Sequence, residues 1–220
     1  MLALATFRCL WISVGLWGGL FAPAEILDRI AVSVGNKVIT QMDLLKEIRI
    51  TAFLNGEKPD FGPENKRRTA DRMIDQRLVR SELEVSRYLL PGPADTDAAF
   101  EELRKRFPTE TAYQAALKEN EISEDDLKDM LTWQLTLVRF IDVRFRPGIQ
   151  IAEEEIRNYF NEHLRPILQK ANPGKSISLD DYRDTVEQTL IGEAANAQVE
   201  QWLQQARRRT HIQFHDEAFQ

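Results

Sequence analysis

One cysteine, Cys9, in 220 residues leaves no partner for a disulfide within the chain. The histidines are three, His163, His211 and His215. His211 and His215 stand four apart, a spacing that suits a metal pair on a helix, but they fall on an expected strand and the tail beyond it. His163, next to Glu162, reads as a solvated helix-surface residue. There is no Gly-rich phosphate loop, no G-x-S-x-G and no C-x-x-C, so the chain lacks the signatures of phosphate-binding, serine-hydrolase and dithiol chemistry. It also lacks a dense run of Lys and Arg. A formal charge of −6 and a pI near 5.3 argue against a nucleic-acid partner, which would need clustered cations. Acidic groups such as Glu153-Glu154-Glu155 and Asp180-Asp181 fall in expected first helical turns, where they stabilise the helix dipole. No catalytic residue, metal ligand or cofactor is therefore assigned.

The one long apolar run comes first. In residues 1–24 Arg8 is the only charge, and Leu10 to Phe21 is apolar with Trp11, Trp17 and three glycines. Ala22-Pro23-Ala24 has the small-x-small form of a cleavage site, and Glu25 begins a charged chain. This reads as a secretory signal peptide cut between Ala24 and Glu25. The run is short for a span of about 20 residues, so no permanent membrane anchor is expected. Cys9 does not follow the Leu-Ala-Gly of a lipidation site. Cleavage would leave 28 basic against 35 acidic residues, a net charge of −7, and no cysteine at all. Such a chain is compatible with an oxidising compartment.

The mature chain is organised around Ile26 to Glu47. Ile30, Val32 and Val34 alternate with Ala31 and Ser33, the period of a half-buried strand. Gly35, Asn36 and Lys37 form a turn, and Val38 and Ile39 resume an apolar β-branched run. Thr40 stands three residues before Asp43, a capping box with Asp in place of Glu, which opens a helix. A lone hairpin is barely stable in water. The one other strand candidate is Thr210, Ile212 and Phe214 at the far end, so the hairpin is expected to be the seam where the two ends meet.

Between these ends the periodicity predicts helices. They cover Asp43–Leu54, Glu64–Tyr88 (with Lys66, Arg67 and Arg68 on a solvated face), Thr96–Arg106 capped by Asp95, and Thr109 to about Glu119. Glu124–Phe145 follows behind the Ser123/Asp126 box, then Ala152 to about Leu168, and a last helix to Arg207 behind Ser178 and Asp181. In Glu124–Phe145 the stripe Leu127, Leu131, Leu135, Val138 and Ile141 is widened by Met130, Trp133, Leu137 and Phe140. An arc this broad is buried on more than one side or lines a groove.

Several of these stretches resemble one family. Asp28-Arg29-Ile30-Ala31-Val32, then Asn36, Val38-Ile39-Thr40 and Asp43, just behind a signal peptide, look like the start of the SurA family of periplasmic chaperones. Asp95–Leu103, Ile122-Ser123 with Leu127, Ile149–Phe160 and Trp202–Ile212 look like later segments of the same family, so the resemblance covers nearly the whole mature chain. It departs in one respect. SurA-like proteins usually carry one or two parvulin isomerase domains between the last two of these segments. Here about fifteen residues, Leu164 to Ser178, lie between them, whereas a parvulin domain needs on the order of a hundred.

The resemblance implies a mostly α, multi-helix SurA-like or trigger-factor-like chaperone module with a small antiparallel sheet. It would occupy 25–215, as an N-terminal segment 25–148 and a C-terminal segment 149–215, with 216–220 a frayed tail. The implied function is that of an ATP-independent periplasmic chaperone for unfolded secreted chains, outer-membrane protein precursors above all. Weak self-association is compatible with this. Two alternatives stand beside it: a peptidyl-prolyl isomerase, disfavoured by the missing domain, and an assembly subunit with one dedicated partner. Phe53, Tyr88, Met130, Trp133, Leu137 and Phe140 read either as core or as the lining of an apolar client groove, where Met and aromatics adapt well.

Overall fold

The computed structural model describes residues 28–86, 88 and 91–220. The expected signal segment, 1–24, and its cleavage site at Ala24 and Glu25 lie outside them. The described chain is mostly helical, with a three-stranded antiparallel sheet. Strands β1 (Ile30–Val34) and β2 (Lys37–Thr40) are the arms of the hairpin. Gly35, first of its two turn residues, takes φ +59°, which glycine reaches without a Cβ clash. Its N–H donates to the His211 carbonyl at 2.8 Å, which ties the turn to the far end of the chain. There β3 (Ile212–Phe214) lies antiparallel to β1, with Phe214 opposite Val32 and Ile212 opposite Val34, so the order is β2-β1-β3.

Plain alternation would bury Ile30 and expose Ala31. A bulge between Ile30 and Val32 reverses this, because one extra residue shifts the pleat. Ala31 is fully buried and Ile30 is exposed. The Ala31 carbonyl is then free to accept the N–H of His215 at 2.9 Å.

Helix α1 (Gln41–Asn55) opens on the expected box. The Thr40 hydroxyl accepts the Asp43 N–H and the Asp43 carboxylate accepts the Thr40 N–H, both at 3.1 Å. Helices α2 (Pro63–Val85), α3 (Pro93–Arg104), α4 (Glu110–Glu119) and α5 (Glu124–Arg144) follow. Helix α3 begins three residues earlier than expected. Pro93 suits a first helical position, where no N–H is needed, and Asp95 accepts the Gly92 N–H at 3.0 Å from inside the first turn.

Next come α6 (Glu153–Tyr159), a π-helical turn (Phe160–Leu164) and α7 (Arg165–Ala171). Pro166 accounts for the turn: it offers no N–H to the Glu162 carbonyl, and its ring would clash there. The chain widens instead, and Arg165 donates to Phe160. Helix α8 (Arg183–Arg209) starts later than its expected Ser178/Asp181 box. The Ser178 hydroxyl accepts only the Asp180 N–H, at 3.3 Å, and Asp180-Asp181 precede the helix rather than sit in its first turn. Leu179 and Tyr182 pack inward on Ile156, Phe160 and Val186, which holds this stretch as a turn.

Four apolar clusters hold the described residues together. The first, under the sheet, joins Val32, Ile39, Leu44 and Ile74. The second joins the end of α1 to α3, α4 and the start of α5 through Phe53, Phe100, Tyr113 and Leu127. The third joins α2, α5 and α8 through Val79, Trp133, Phe140 and Val199. The fourth packs α6 on α8.

The last residues are a correction to the sequence reading. Residues 216–220 are not frayed: Asp216–Phe219 form a 3-10 turn, and Ala218 and Phe219 are buried in the first cluster. Lys66 and Arg67, expected on a solvated face, hold them there. Lys66 is buried, and its ammonium donates to the main-chain oxygen of Gln220 at 2.8 Å. Arg67 pairs with Asp216 at 2.8 Å and lies over the rings of Phe214 and Phe219. The Gln41 amide donates to the Ala218 carbonyl at 3.2 Å. A periodicity argument could not see this, because the partners stand about 150 residues apart in sequence.

Candidate functional site

The six candidate groove residues do not share one groove. Phe53 is buried in the second cluster, stacked on Phe107 with centroids 5.6 Å apart. Phe140 is 1% exposed in the third, where Tyr88, Phe145 and Trp202 meet its ring at 5.5–5.6 Å. These two are core. The broad α5 arc is consumed twice, against α1 and α3 at one end and against α2 and α8 at the other. Tyr88 is half-buried, and its hydroxyl accepts from Arg144 at 2.9 Å. Met130 and Leu137 are partly buried beside Trp133.

What the helices leave open is a crevice between α2 and α5 that continues beside α1. Its outer part, about 540 Å³, is bounded by Arg80, Leu83 and Glu84 on α2 and by Asp129, Thr132, Trp133 and Thr136 on α5. Its inner part, about 250 Å³, adds Glu47 and Ile50 of α1, Gln76 of α2, and Met130 of α5. Arg80, Asp129 and Trp133 border both parts. Of the six groove candidates Met130 and Trp133 are both packed and at this opening, and Trp133 alone borders both parts. The Arg80 guanidinium lies 4.1 Å from the centroid of its ring, a cation–π stack.

The charges around the crevice are unequally matched. Lys46 pairs with Asp126 at 2.8 Å and Arg77 with Asp43 at 3.7 Å. Among the described residues Arg80, Glu47 and Asp129 have no ion pair. Glu47 accepts from the Gln76 amide at 3.1 Å. Burial pushes its carboxyl above the ordinary glutamate range, against the pull of Gln76, Arg72 and Arg80. Burial also pushes Asp126 upward, but hydrogen bonds from Lys46 and Ser123 outweigh it and hold that carboxyl low. Arg80 was not singled out in the sequence. Its one available signal is its place seven residues after Met73, on the margin of the α2 apolar stripe; which helix that margin faces is a tertiary fact.

The outer edge of α5 is open too. A groove of about 570 Å³ runs past Pro91, Gly92, Leu135, Val138 and Arg139, and Val138 is 57% exposed. The surplus apolar arc of α5 surfaces here.

One buried polar group has no partner. Tyr113 is 1% exposed, and its hydroxyl finds no hydrogen bond among the described residues. Burial, and after it the Glu124 carboxylate, pushes its pKa from 10.0 to about 12. An orphaned buried hydroxyl costs on the order of 1–3 kcal/mol. Tyr113→Phe is therefore expected to stabilise the protein by about 1 kcal/mol in urea unfolding at pH 7. The native state holds the phenolic proton more tightly than the unfolded chain, so that contribution is intact below pH 10 and lost as pH rises toward 12. The advantage of the Phe variant should accordingly widen above pH 10. A variant less stable than the parent at pH 7 would mean that the hydroxyl is satisfied in solution.

Among the described residues no three His, Cys, Asp or Glu side chains are grouped to hold a metal ion, and no helix is long and apolar enough to cross a membrane. The chain matches no protein-family model, and a search of curated proteins finds no match.

Proposed function

We propose that this chain is an ATP-independent chaperone of the SurA-like type, exported to the periplasm with its signal segment removed, which holds unfolded secreted chains such as outer-membrane β-barrel precursors. The observation that carries this reading is the crevice between α2 and α5. Its lining joins the Trp133 indole, a methionine and an isoleucine to Arg80 and Asp129, which have no hydrogen-bond or ion-pair partner among the described residues. A trough of that kind suits an extended chain of varied sequence, with apolar contact for side chains and polar groups for the backbone. The sequence resemblance points the same way, as does a net charge of −7 that keeps a loaded chaperone soluble. No isomerase activity is assigned: only residues 172–182 separate α7 from α8, far fewer than an isomerase domain requires. A second reading, a subunit with one dedicated partner, draws on the open edge of α5 around Val138.

The test is suppression of aggregation. An unfolded outer-membrane protein diluted from urea is expected to stay soluble at near-stoichiometric ratios of this protein, without nucleotide. In a Trp202→Phe background the emission of Trp133 should shift on client addition. Proline-limited refolding should keep its uncatalysed slow phase of tens to hundreds of seconds. Aggregation unchanged at every ratio would overturn the general-chaperone reading in favour of the dedicated partner. Suppression with a silent Trp133 would move the client site away from the crevice.

A further inference from the structure

The mouth of the crevice already holds a cation. Arg80 lies over Trp133 at 4.1 Å and, among the described residues, makes no hydrogen bond and no ion pair. Its guanidinium is held by the stack and by no fixed polar contact, on a long side chain that is exposed. The walls around it are acidic. Glu84 and Asp129 border the outer part beside Trp133, and Glu47 and Asp129 border the inner part. Asp43 and Asp126 are answered by Arg77 and Lys46, and Glu84 by Lys37 at 3.4 Å. Glu47 and Asp129 form no ion pair among the described residues; both favour the Arg80 charge, with Arg72 acting on Glu47 and Lys46 on Asp129 as well. Without Arg80 the crevice would be an aromatic face beside two carboxylates that form no ion pair, a surface complementary to a cation.

We propose that the Trp133 face recognises an arginine side chain of an extended client segment, and that Arg80 is an internal occupant which this side chain displaces. The inference deepens the chaperone reading and rests on it for the identity of the ligand. Arginine is the fitting cation. Its planar, weakly hydrated guanidinium stacks on an indole as Arg80 does, while its donors stay free for carboxylates; the compact lysine ammonium stacks less well. The exchange of one guanidinium for another leaves the platform charge unchanged, so binding is reversible without fuel.

The experiment uses the full mature chain in the Trp202→Phe background and three unstructured peptides. They are identical except for Arg, Lys or Gln at one central position, and binding is followed by Trp133 fluorescence. The Arg peptide is expected to bind about fivefold more tightly than the Gln peptide, with Lys between them and the difference shrinking as salt rises. Arg80→Gln should tighten the Arg peptide several-fold by vacating the platform. Asp129→Asn, at an exposed position that leaves the fold intact, should reduce the Arg preference. Equal affinity for the Arg and Gln peptides would overturn the proposal, and so would weaker binding of the Arg peptide to Arg80→Gln. If Arg80→Gln does not fold, an Arg preference unaffected by Asp129→Asn overturns it. The aggregation assay reads the chaperone function separately. Suppressed aggregation without an Arg preference removes this inference alone; an Arg preference without suppression removes the chaperone reading and supports the cation site.

Discussion

Truncation after Arg209 is expected to lower the melting temperature by roughly 10–20 °C or to abolish cooperative unfolding. The deletion removes β3, half the hydrogen-bonding partners of the central strand β1, and the turn that buries Phe219 and Ala218. Full burial of one large apolar side chain is worth roughly 1.5–3 kcal/mol. Phe219 is buried, and Ile212 and Phe214 are partly so. Together with the uncovered Val32, Val34 and Ala70, the loss comes to about 5 kcal/mol, comparable to the whole stability of many domains. At this chain length each kcal/mol moves the midpoint by about 2–4 °C. The loss includes buried polar groups, since Lys66 would be left without its acceptor. Far-UV circular dichroism during a thermal scan reads the outcome. A shorter deletion, after His215, separates the turn from the strand and should lower the midpoint by about 5–10 °C. A melting curve unchanged by the shorter deletion would show that the closing turn is loose in solution and that Lys66 and Arg67 return to solvent.

Phe140→Ala is expected to destabilise by about 3–5 kcal/mol, the range for removing an aromatic ring from a packed interior. Phe140 is the centre of the third cluster. Tyr88, Phe145 and Trp202 meet it at edge-on angles of 83°, 80° and 61°, and the Arg144 guanidinium lies 5.8 Å from its centroid. Arg144 also pairs with Glu82 and donates to Tyr88, so a ring lost from the middle loosens a junction that ties α2 to α5 and α8. Val138, two residues earlier on the same helix, is more than half exposed. Val138→Ala should change stability by no more than about 0.5 kcal/mol. Urea unfolding of the two variants gives the comparison. A Phe140→Ala loss below about 1 kcal/mol would mean that the neighbours collapse into the vacated space.

The two substitutions fall on one helix whose sequence already showed too much apolar surface for a single packing face. Leu127, Leu131, Leu135, Val138 and Ile141 form as good a stripe as Met130, Trp133, Leu137 and Phe140. Periodicity at 3.6 residues has no means of ranking them. The ranking came from the neighbours: α1, α2, α3 and α8 cover one side, and the opening beside Pro91 leaves Val138 out. For the same reason the six residues proposed as a client groove split between two clusters. Their chemistry was readable; their sharing of a surface depended on which helices returned to meet them. A lone arginine on a helix margin, as Arg80 is in the sequence, carries no signal until the opposite helix presents a tryptophan.

What the sequence by itself determined is local. The Thr40/Asp43 and Ser123/Asp126 boxes start α1 and α5 where their side chains can reach their own backbone, three residues away. Gly35 makes the hairpin turn, and the apolar periods mark the helices between. These interactions close within a few residues, so they form without a partner elsewhere in the chain. The tertiary structure decided whatever needed a partner far along the chain. It set the bulge that turned Ala31 inward, where its carbonyl meets His215. It ordered the tail, held by Lys66 and Arg67 against Phe219. It delayed the start of α8, where Leu179 and Tyr182 pack on Phe160 instead of joining a helix. It also placed the crevice that sets Arg80 over Trp133. In each case a buried contact or an ion pair between distant segments outweighed a local preference worth well under a few kcal/mol.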